Sequence, residues 1–228
     1  MENRNLTQVS AEEHEPAPIP PYGLRRLLHT VGGHFTKLLL ANVLTVVCSI
    51  PIVTIPAALA GLHAVVQQYY RKGYGDVFSK FFGEFKANFF SRLFIAAVLA
   101  VLPVGGWFLG AQLSDPAAVG ICAFFVVLDL LVYGWWFPQI ALLKLSPGQA
   151  LRNSFLMIFI ATKENVLLLV LSGLTIILNT LLWPVSLIPI AIFAPALFVL
   201  LTADIVNPVL DKRIIGPAAE AEAADQQA

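Results

Sequence analysis

Residues 36–70 read Thr36-Lys-Leu-Leu-Leu-Ala-Asn42-Val-Leu-Thr-Val-Val-Cys48-Ser-Ile-Pro51-Ile-Val-Thr54-Ile-Pro56-Ala-Ala-Leu-Ala-Gly-Leu-His63-Ala-Val-Val-Gln-Gln-Tyr-Tyr70. Two apolar runs, Leu38–Ile50 and Pro56–Val66, flank the segment from Pro51 to Pro56. Proline removes a helical hydrogen bond and clashes with the turn before it. The stretch is therefore either one long kinked helix or two helices joined by a turn. The choice fixes how often the chain crosses a membrane and on which side every later segment lies.

Four more apolar stretches follow: Leu93–Gly110, Ala117–Leu143, Val166–Trp183 and Leu187–Val206. Each suits the roughly 20 residues a spanning helix needs. Of the 228 residues, 58% are hydrophobic and 12% charged, with a mean hydropathy of +0.79. A soluble domain carries about a quarter charged residues. The composition excludes a water-covered globule, a disordered chain and a nucleic-acid binder with a basic surface. The lipid bilayer is the expected partner.

The basic residues choose between the two readings of 36–70. With six helices and an inside start, the inside segments are 1–37, 67–92, 144–163 and 207–228. They hold all 14 Lys and Arg residues, and the outside connections at 51–56, 111–116 and 184–186 hold none. Five helices would put Arg25, Arg26 and Lys37 opposite the 67–92 loop. The positive-inside bias favours six, with Pro51, Thr54 and Pro56 as the turn motif and both termini cytoplasmic in the cell (plasma) membrane. The second span, from Pro56 to about Tyr70, is short; thinning of the bilayer or burial inside the bundle accommodates it. The charges are sorted as well. Residues 16–213 carry a basic excess of six, and Glu2, Glu12, Glu13, Glu15, Glu220, Glu222 and Asp225 lie in the tails. Residues 1–21, acidic and proline-rich, and 214–228 are expected to be disordered. Residues 22–213 form a single transmembrane domain.

The inside segments have helical patterns of their own. Phe78, Phe81, Phe82, Phe85 and Phe89 fall on one helical face, which suits a helix lying in the membrane plane, a packing face against the bundle, or a surface for a partner. Ser146-Pro147-Gly148-Gln149 is a capping-box signature, followed by an apolar face of Leu151, Phe155, Ile158 and Phe159. Before the first span, Leu24, Leu27, Leu28, Val31 and Phe35 form a third stripe, with Arg25, Arg26 and His29 off it. Each segment leads into a span at similar residues. Phe35-Thr-Lys-Leu-Leu-Leu-Ala-Asn-Val-Leu44 aligns with Phe90-Ser-Arg-Leu-Phe-Ile-Ala-Ala-Val-Leu99, and Ala161-Thr-Lys163 is a fainter third copy. The expected fold is all-α: six transmembrane helices as three hairpins, each preceded by an amphipathic interfacial helix. Repeats commonly place a binding site at their interface.

Asn42-Val-Leu, Cys48-Ser-Ile-Pro-Ile-Val-Thr-Ile-Pro-Ala57, the aromatic segment Val77–Phe89 and Gln149-Ala-Leu-Arg-Asn-Ser-Phe155 together resemble the YesL-like membrane proteins. The likeness is strongest over residues 36–92 and thinner to about 210. One departure is Ile55, where the family turn usually has a glycine before the second proline. The resemblance implies a bacterial multi-pass membrane protein associated with carbohydrate uptake, and carries over no activity or site.

Polar residues within the spans are candidate sites. Asp129 lies near the middle of Ala117–Leu143, and an ionisable group there is a functional hypothesis by default. A protonated Asp129 hydrogen-bonded to Asn42, Asn179 or His63 is one reading; a proton or substrate site and a wet cavity are others. Asp204 is expected to reach water or a base such as Arg92 or Lys163. His29 and His34 are five apart, off the i, i+4 spacing of helical metal ligands, with no set completed. No nucleophile elbow, P-loop, HExxH or phosphate loop occurs. The sequence therefore points to no enzyme, metal or cofactor. Two functions are expected: an accessory or regulatory partner of a carbohydrate transport system, or a small transporter or channel using the mid-membrane carboxylate; the protein partner expected beside the bilayer is a transporter subunit, with a homo-oligomer as the alternative.

Overall fold

The computed structural model describes residues 19–113, 116–182 and 187–217; the tails expected to be disordered fall largely outside them. Among these residues eight α-helices run in order: α1 Leu24–Cys48, α2 Ile55–Lys72, α3 Val77–Lys86, α4 Phe89–Leu113, α5 Pro116–Leu143, α6 Pro147–Ile160, α7 Thr162–Leu181 and α8 Leu187–Leu210. A 3-10 turn at Ile52–Thr54 links α1 to α2, and a π-helical turn at Asp211–Ile215 extends α8. There is no strand among the described residues. Six helices, all but α3 and α6, are long and apolar enough to cross a membrane. Phe90, Phe94, Val101, Trp107 and Phe108 of α4 and Val166, Val170, Leu174 and Leu181 of α7 face outward. Such continuous apolar surface is foreign to a soluble monomer and natural where lipid is the solvent.

The turn divides residues 36–70 into two helices. Thr54 Oγ1 lies 2.6 Å from the Pro51 carbonyl and also bonds the Cys48 carbonyl, so one hydroxyl ties the end of α1 to the turn. Ile55 has ordinary right-handed helical angles, so the position does not require glycine. Pro56 stands in the first turn of α2, where its missing N–H is harmless.

The second span is the most enclosed of the six. Ala57, Ala58, Ala60, Gly61 and Ala64 let α1, α3, α5 and α8 approach it closely, as small residues do between membrane helices. A methyl group on Gly61 would lie 3.0 Å from the Phe81 ring and carbonyl of α3. Gly106 of α4 performs the same service against Cys122 Cα of α5, at 3.2 Å. The low hydropathy of this span reflects burial in protein rather than an incomplete crossing.

The three-fold order is present, with a backbone break ahead of each aligned segment. His34 leaves helical angles just before Phe35. Asn88, at φ 52°, separates α3 from α4 just ahead of Phe90. Ala161 separates α6 from α7. The first amphipathic segment is thus fused to its span across a kink instead of standing as a separate helix. Its stripe is split between two faces, with Val31 packed on the core beside Leu27. Leu24 and Leu28 point outward, and Arg26, Leu27 and Thr30 are buried. In α6 the packed residues are Pro147, Ala150, Ser154 and Met157, whereas Phe155 and Phe159 are exposed. Only α3 turns its aromatic stripe inward. The capping box of Ser146 and Gln149 is formed in full.

Candidate functional site

A cavity of about 480 Å³ lies among α2, α4, α5, α7 and α8. The regular spacing of a few residues on each helix builds its wall. Leu59, Leu62 and His63 come from α2; Leu168, Ser172, Thr175 and Asn179 from α7; Pro195, Phe198, Val199 and Thr202 from α8. These are i, i+3, i+4, i+7 series, so each helix gives one face. Tyr133, Gly134 and Phe137 of α5 complete the wall, and Ile55 and Pro56 bring the α1–α2 turn to its rim. Among the described residues, no Lys, Arg, Asp or Glu side chain lines it.

Two lining residues carry a polar atom that is closed to water and has no hydrogen-bond partner among the described residues: His63 Nδ1 and Thr202 Oγ1. His63 is 5% exposed and Thr202 1%. The His63 ring stacks on Phe137 at 5.1 Å, and Phe137 stacks on Tyr133 at 5.8 Å, with interplanar angles of 17° and 15°. Three near-parallel rings therefore stand side by side on one wall.

The structure brings together two of the four intramembrane candidates, His63 and Asn179, on this cavity. Asn179 donates 2.7 Å to the Thr175 carbonyl of its own helix. Asn42 lies elsewhere, against α8. Its Nδ2 donates to the Ile192 carbonyl at 2.8 Å, and its Oδ1 accepts from the Ala196 amide at 2.7 Å. Asp129 is buried on α5 beside the lining residue Leu130 but does not itself line the cavity, and it accepts no hydrogen bond among the described residues. The expected bond from Asp129 to Asn42, Asn179 or His63 is not made.

Sequence reasoning missed Ser172, Thr175 and Thr202. The signal was present in Ser172, Thr175 and Asn179, which form an i, i+3, i+7 polar stripe in an otherwise apolar helix. It missed other buried polar pairs too. Gln67 and Asn207 exchange amide hydrogen bonds at 3.1 and 2.8 Å between α2 and α8. Trp135 Nε1 donates to Asn165 Oδ1 at 2.8 Å, and Asn165 Nδ2 to the Ile158 carbonyl at 2.6 Å.

At the other end of α2 a charged cluster ties three helices. The Arg26 guanidinium sits over the Tyr22 and Tyr70 rings, 4.4 and 4.7 Å from their centroids, and Nε donates to the Tyr70 carbonyl at 3.0 Å. Asp204 accepts from the Tyr70 hydroxyl and from the Gly23 amide. Asp211 accepts from Tyr22 and pairs with Arg71 at 2.6 Å. Burial, then the bond to Asp211, holds the Tyr22 phenol above its ordinary pKa. Asp204 thus pairs with neither Arg92 nor Lys163, because α8 packs against α1 and α2 here. Arg92 is engaged by Glu84, at 2.9 Å.

The candidate partner face is largely internal. Phe81 is fully buried, Phe82 and Phe85 pack on the core around it, and Phe89 is half-buried beside Phe85. Phe78 alone of the five is exposed, at 50%.

These features define an all-α, multi-pass membrane-type bundle with a cavity whose described lining carries no Lys, Arg, Asp or Glu. Residues 38–108, from the latter part of α1 into α4, match the family described as "Protein of unknown function, DUF624". No curated protein and no solved structure matches the chain.

Proposed function

We propose that the chain is a non-catalytic, YesL-like protein of a bacterial plasma membrane that acts as an accessory or regulatory partner of a carbohydrate transport system. The supporting observation is how the polar groups inside the bundle are engaged. Asn42, Gln67, Asn207 and Asn165 all bond from one helix to another, and among the described residues no charged side chain lines the cavity. Such bonds hold helices in one arrangement; a path for a solute as polar as a sugar needs a continuous polar lining. The outward residues Leu24, Leu28 and Phe159 and half-exposed Phe78 belong to segments that carry the basic residues. This end offers apolar and basic chemistry to lipid headgroups and to another subunit together.

Pull-down of the tagged protein from its native membranes in mild detergent tests the reading. A transporter subunit recovered in stoichiometric amount is the expected result. Recovery of the protein alone, or as a homo-oligomer, would overturn it. The second reading, a small transporter, draws on Asp129, a buried carboxylate with no hydrogen bond among the described residues. Solute flux in proteoliposomes that is lost in Asp129→Asn would favour that reading.

A further inference from the structure

The two short helices that connect spans, α3 and α6, have opposite characters. α3 turns its aromatic stripe inward, and residues 76–86 balance Lys80 and Lys86 with Asp76 and Glu84. α6 turns its large apolar residues outward, and residues 144–163 hold Lys144, Arg152 and Lys163 with no acidic residue. We propose that the outward face of α6 is a binding surface for anionic phospholipid, with acyl chains against its apolar residues and headgroup phosphates met by Arg152 and Lys163.

Helical spacing builds the face. Arg152, Phe155, Leu156 and Phe159 stand at i, i+3, i+4 and i+7, so they share one side of α6. Phe159 is 81% exposed and Leu156 49%. On the opposite side Ala150, Ser154 and Met157 are buried. Ser154 donates to the Ala150 carbonyl at 2.7 Å and accepts from Gln139 of α5 at 3.3 Å, so packing on α5 sets which side faces out. The apolar face continues into Val166, Leu167 and Val170, which point outward from α7, a helix long and apolar enough to cross the membrane. Lipid that covers α7 therefore reaches α6.

The charges select the headgroup. Lys144, Arg152 and Lys163 are exposed and make no ion pair among the described residues. Glu164, next along the chain, is half-buried in the first turn of α7; with it counted, a basic excess of two remains. On α3, by contrast, Lys80 pairs with Glu84 at 3.7 Å. Cations beside an anionic membrane surface gain an attraction that a neutral headgroup does not give. A protein occupant would have to bring apolar and acidic groups together at this face. The bilayer already brings both, because α6 joins two of the membrane-length helices.

The test uses the full chain purified in dodecylmaltoside. Dioctanoylphosphatidylglycerol is the probe, and dioctanoylphosphatidylcholine, with the same chains and no net charge, is the comparator. The readout is the melting temperature against lipid concentration, because a ligand that binds the folded state raises it. A saturable rise at lower concentration for the anionic lipid is expected, and the difference should shrink in high salt. Arg152→Gln and Lys163→Gln should each raise the half-saturating concentration of the anionic lipid roughly fivefold, and together roughly thirtyfold. Arg152→Lys, which keeps the charge, should stay close to wild type, as should Lys80→Gln on α3. Both positions changed to Gln are exposed, so the fold should tolerate them. Free glycerol phosphate should give no rise, since it lacks the chains that the apolar face takes. Equal responses to the two lipids, an equal response in wild type and the double Gln variant, or a rise with glycerol phosphate would each overturn the proposal. Recovery of a transporter subunit does not bear on this result, so the two proposals stand or fall separately.

Discussion

The side chain of Asn42 on α1 accepts a hydrogen bond from the main-chain amide of Ala196 on α8, at 2.7 Å. In an unbroken helix that amide would donate to the carbonyl of Ile192, four residues earlier. The Ile192 carbonyl instead accepts from the Nδ2 of the same Asn42, at 2.8 Å. One side-chain amide thus bridges a rung of α8, with its oxygen on the donor end and its nitrogen on the acceptor end. The cause is Pro195, whose ring pushes against the turn before it and opens the neighbouring bonds. Side chains from adjacent helices commonly satisfy backbone groups freed by proline in a membrane helix.

Asn42→Leu should therefore destabilise the bundle by about 2–5 kcal/mol, leaving a buried donor and a buried acceptor without partners. Unfolding by increasing SDS in mixed micelles measures this. Pro195→Ala in the same chain lets the 192–196 rung close and should recover part of the loss. A double variant no more stable than Asn42→Leu alone would show that the bridge does not answer the proline break.

Phe81 and Phe78 separate a packing role from a docking role in the aromatic stripe. Phe81 is fully buried against Gly61, so Phe81→Ala should cost about 3–5 kcal/mol through the cavity it leaves. Gly61→Ala should also destabilise, since the added methyl meets both the ring and the backbone of Phe81. Phe78→Ala should change stability little, within about 0.5 kcal/mol. Thermal melts of the three purified variants decide it. Comparable losses for Phe78→Ala and Phe81→Ala would contradict the orientation of α3.

Much of this architecture was readable because it is local. The Pro51–Pro56 turn, the Ser146–Gln149 capping box and the repeated entry into each span are fixed by residues a few positions apart. The orientation of the amphipathic helices was not readable, for a reason peculiar to membranes. Lipid tails and a protein core are about equally apolar, so the stripe of Leu24 and Leu28 does not reveal which way it faces. The buried Arg26 decides it, held by the ring of Tyr70, 44 residues away. Asn42 was recognised as a candidate, but its partner is main chain opened by a proline on another helix. That His63 and Thr202 line one cavity likewise depends on α2 and α8 packing, which no spacing within either helix announces.

Arg92 is 1% exposed and is held by Glu84 in two ways. Its Nη2 pairs with the carboxylate at 2.9 Å, and its Nη1 donates to the Glu84 carbonyl. The two contacts use the planar fork of a guanidinium, which an ammonium lacks. Arg92→Lys should therefore behave as a loss, and Arg92→Ala should be more harmful still because it empties a buried site and leaves Glu84 only the looser pair with Lys80, at 3.7 Å. Removing one partner of a buried pair typically costs about 3–5 kcal/mol; with Glu84 less buried than Arg92, the lower end is expected. Melting temperatures for Arg92→Lys, Arg92→Ala and Glu84→Gln measure it. Full stability in Arg92→Lys would mean that charge alone, without the fork, holds α3 to α4.

The side on which each connection lies can be read directly, and the α1–α2 turn is the informative place. Six crossings put the turn after Thr54 on the face opposite Gly73, which ends α2 in a left-handed cap at φ 73°. Arg71 and Lys72 stand just before that cap, and the basic residues of a multi-pass protein gather on the cytoplasmic side. A fusion of alkaline phosphatase, active only outside the cytoplasm, should be active after Thr54 and inactive after Gly73. A fluorescent protein that matures only in the cytoplasm should give the reverse pattern. An inactive phosphatase at Thr54 would make α1 and α2 a re-entrant pair, reduce the crossings by two, and place the cavity rim at Ile55 and Pro56 on the cytoplasmic side.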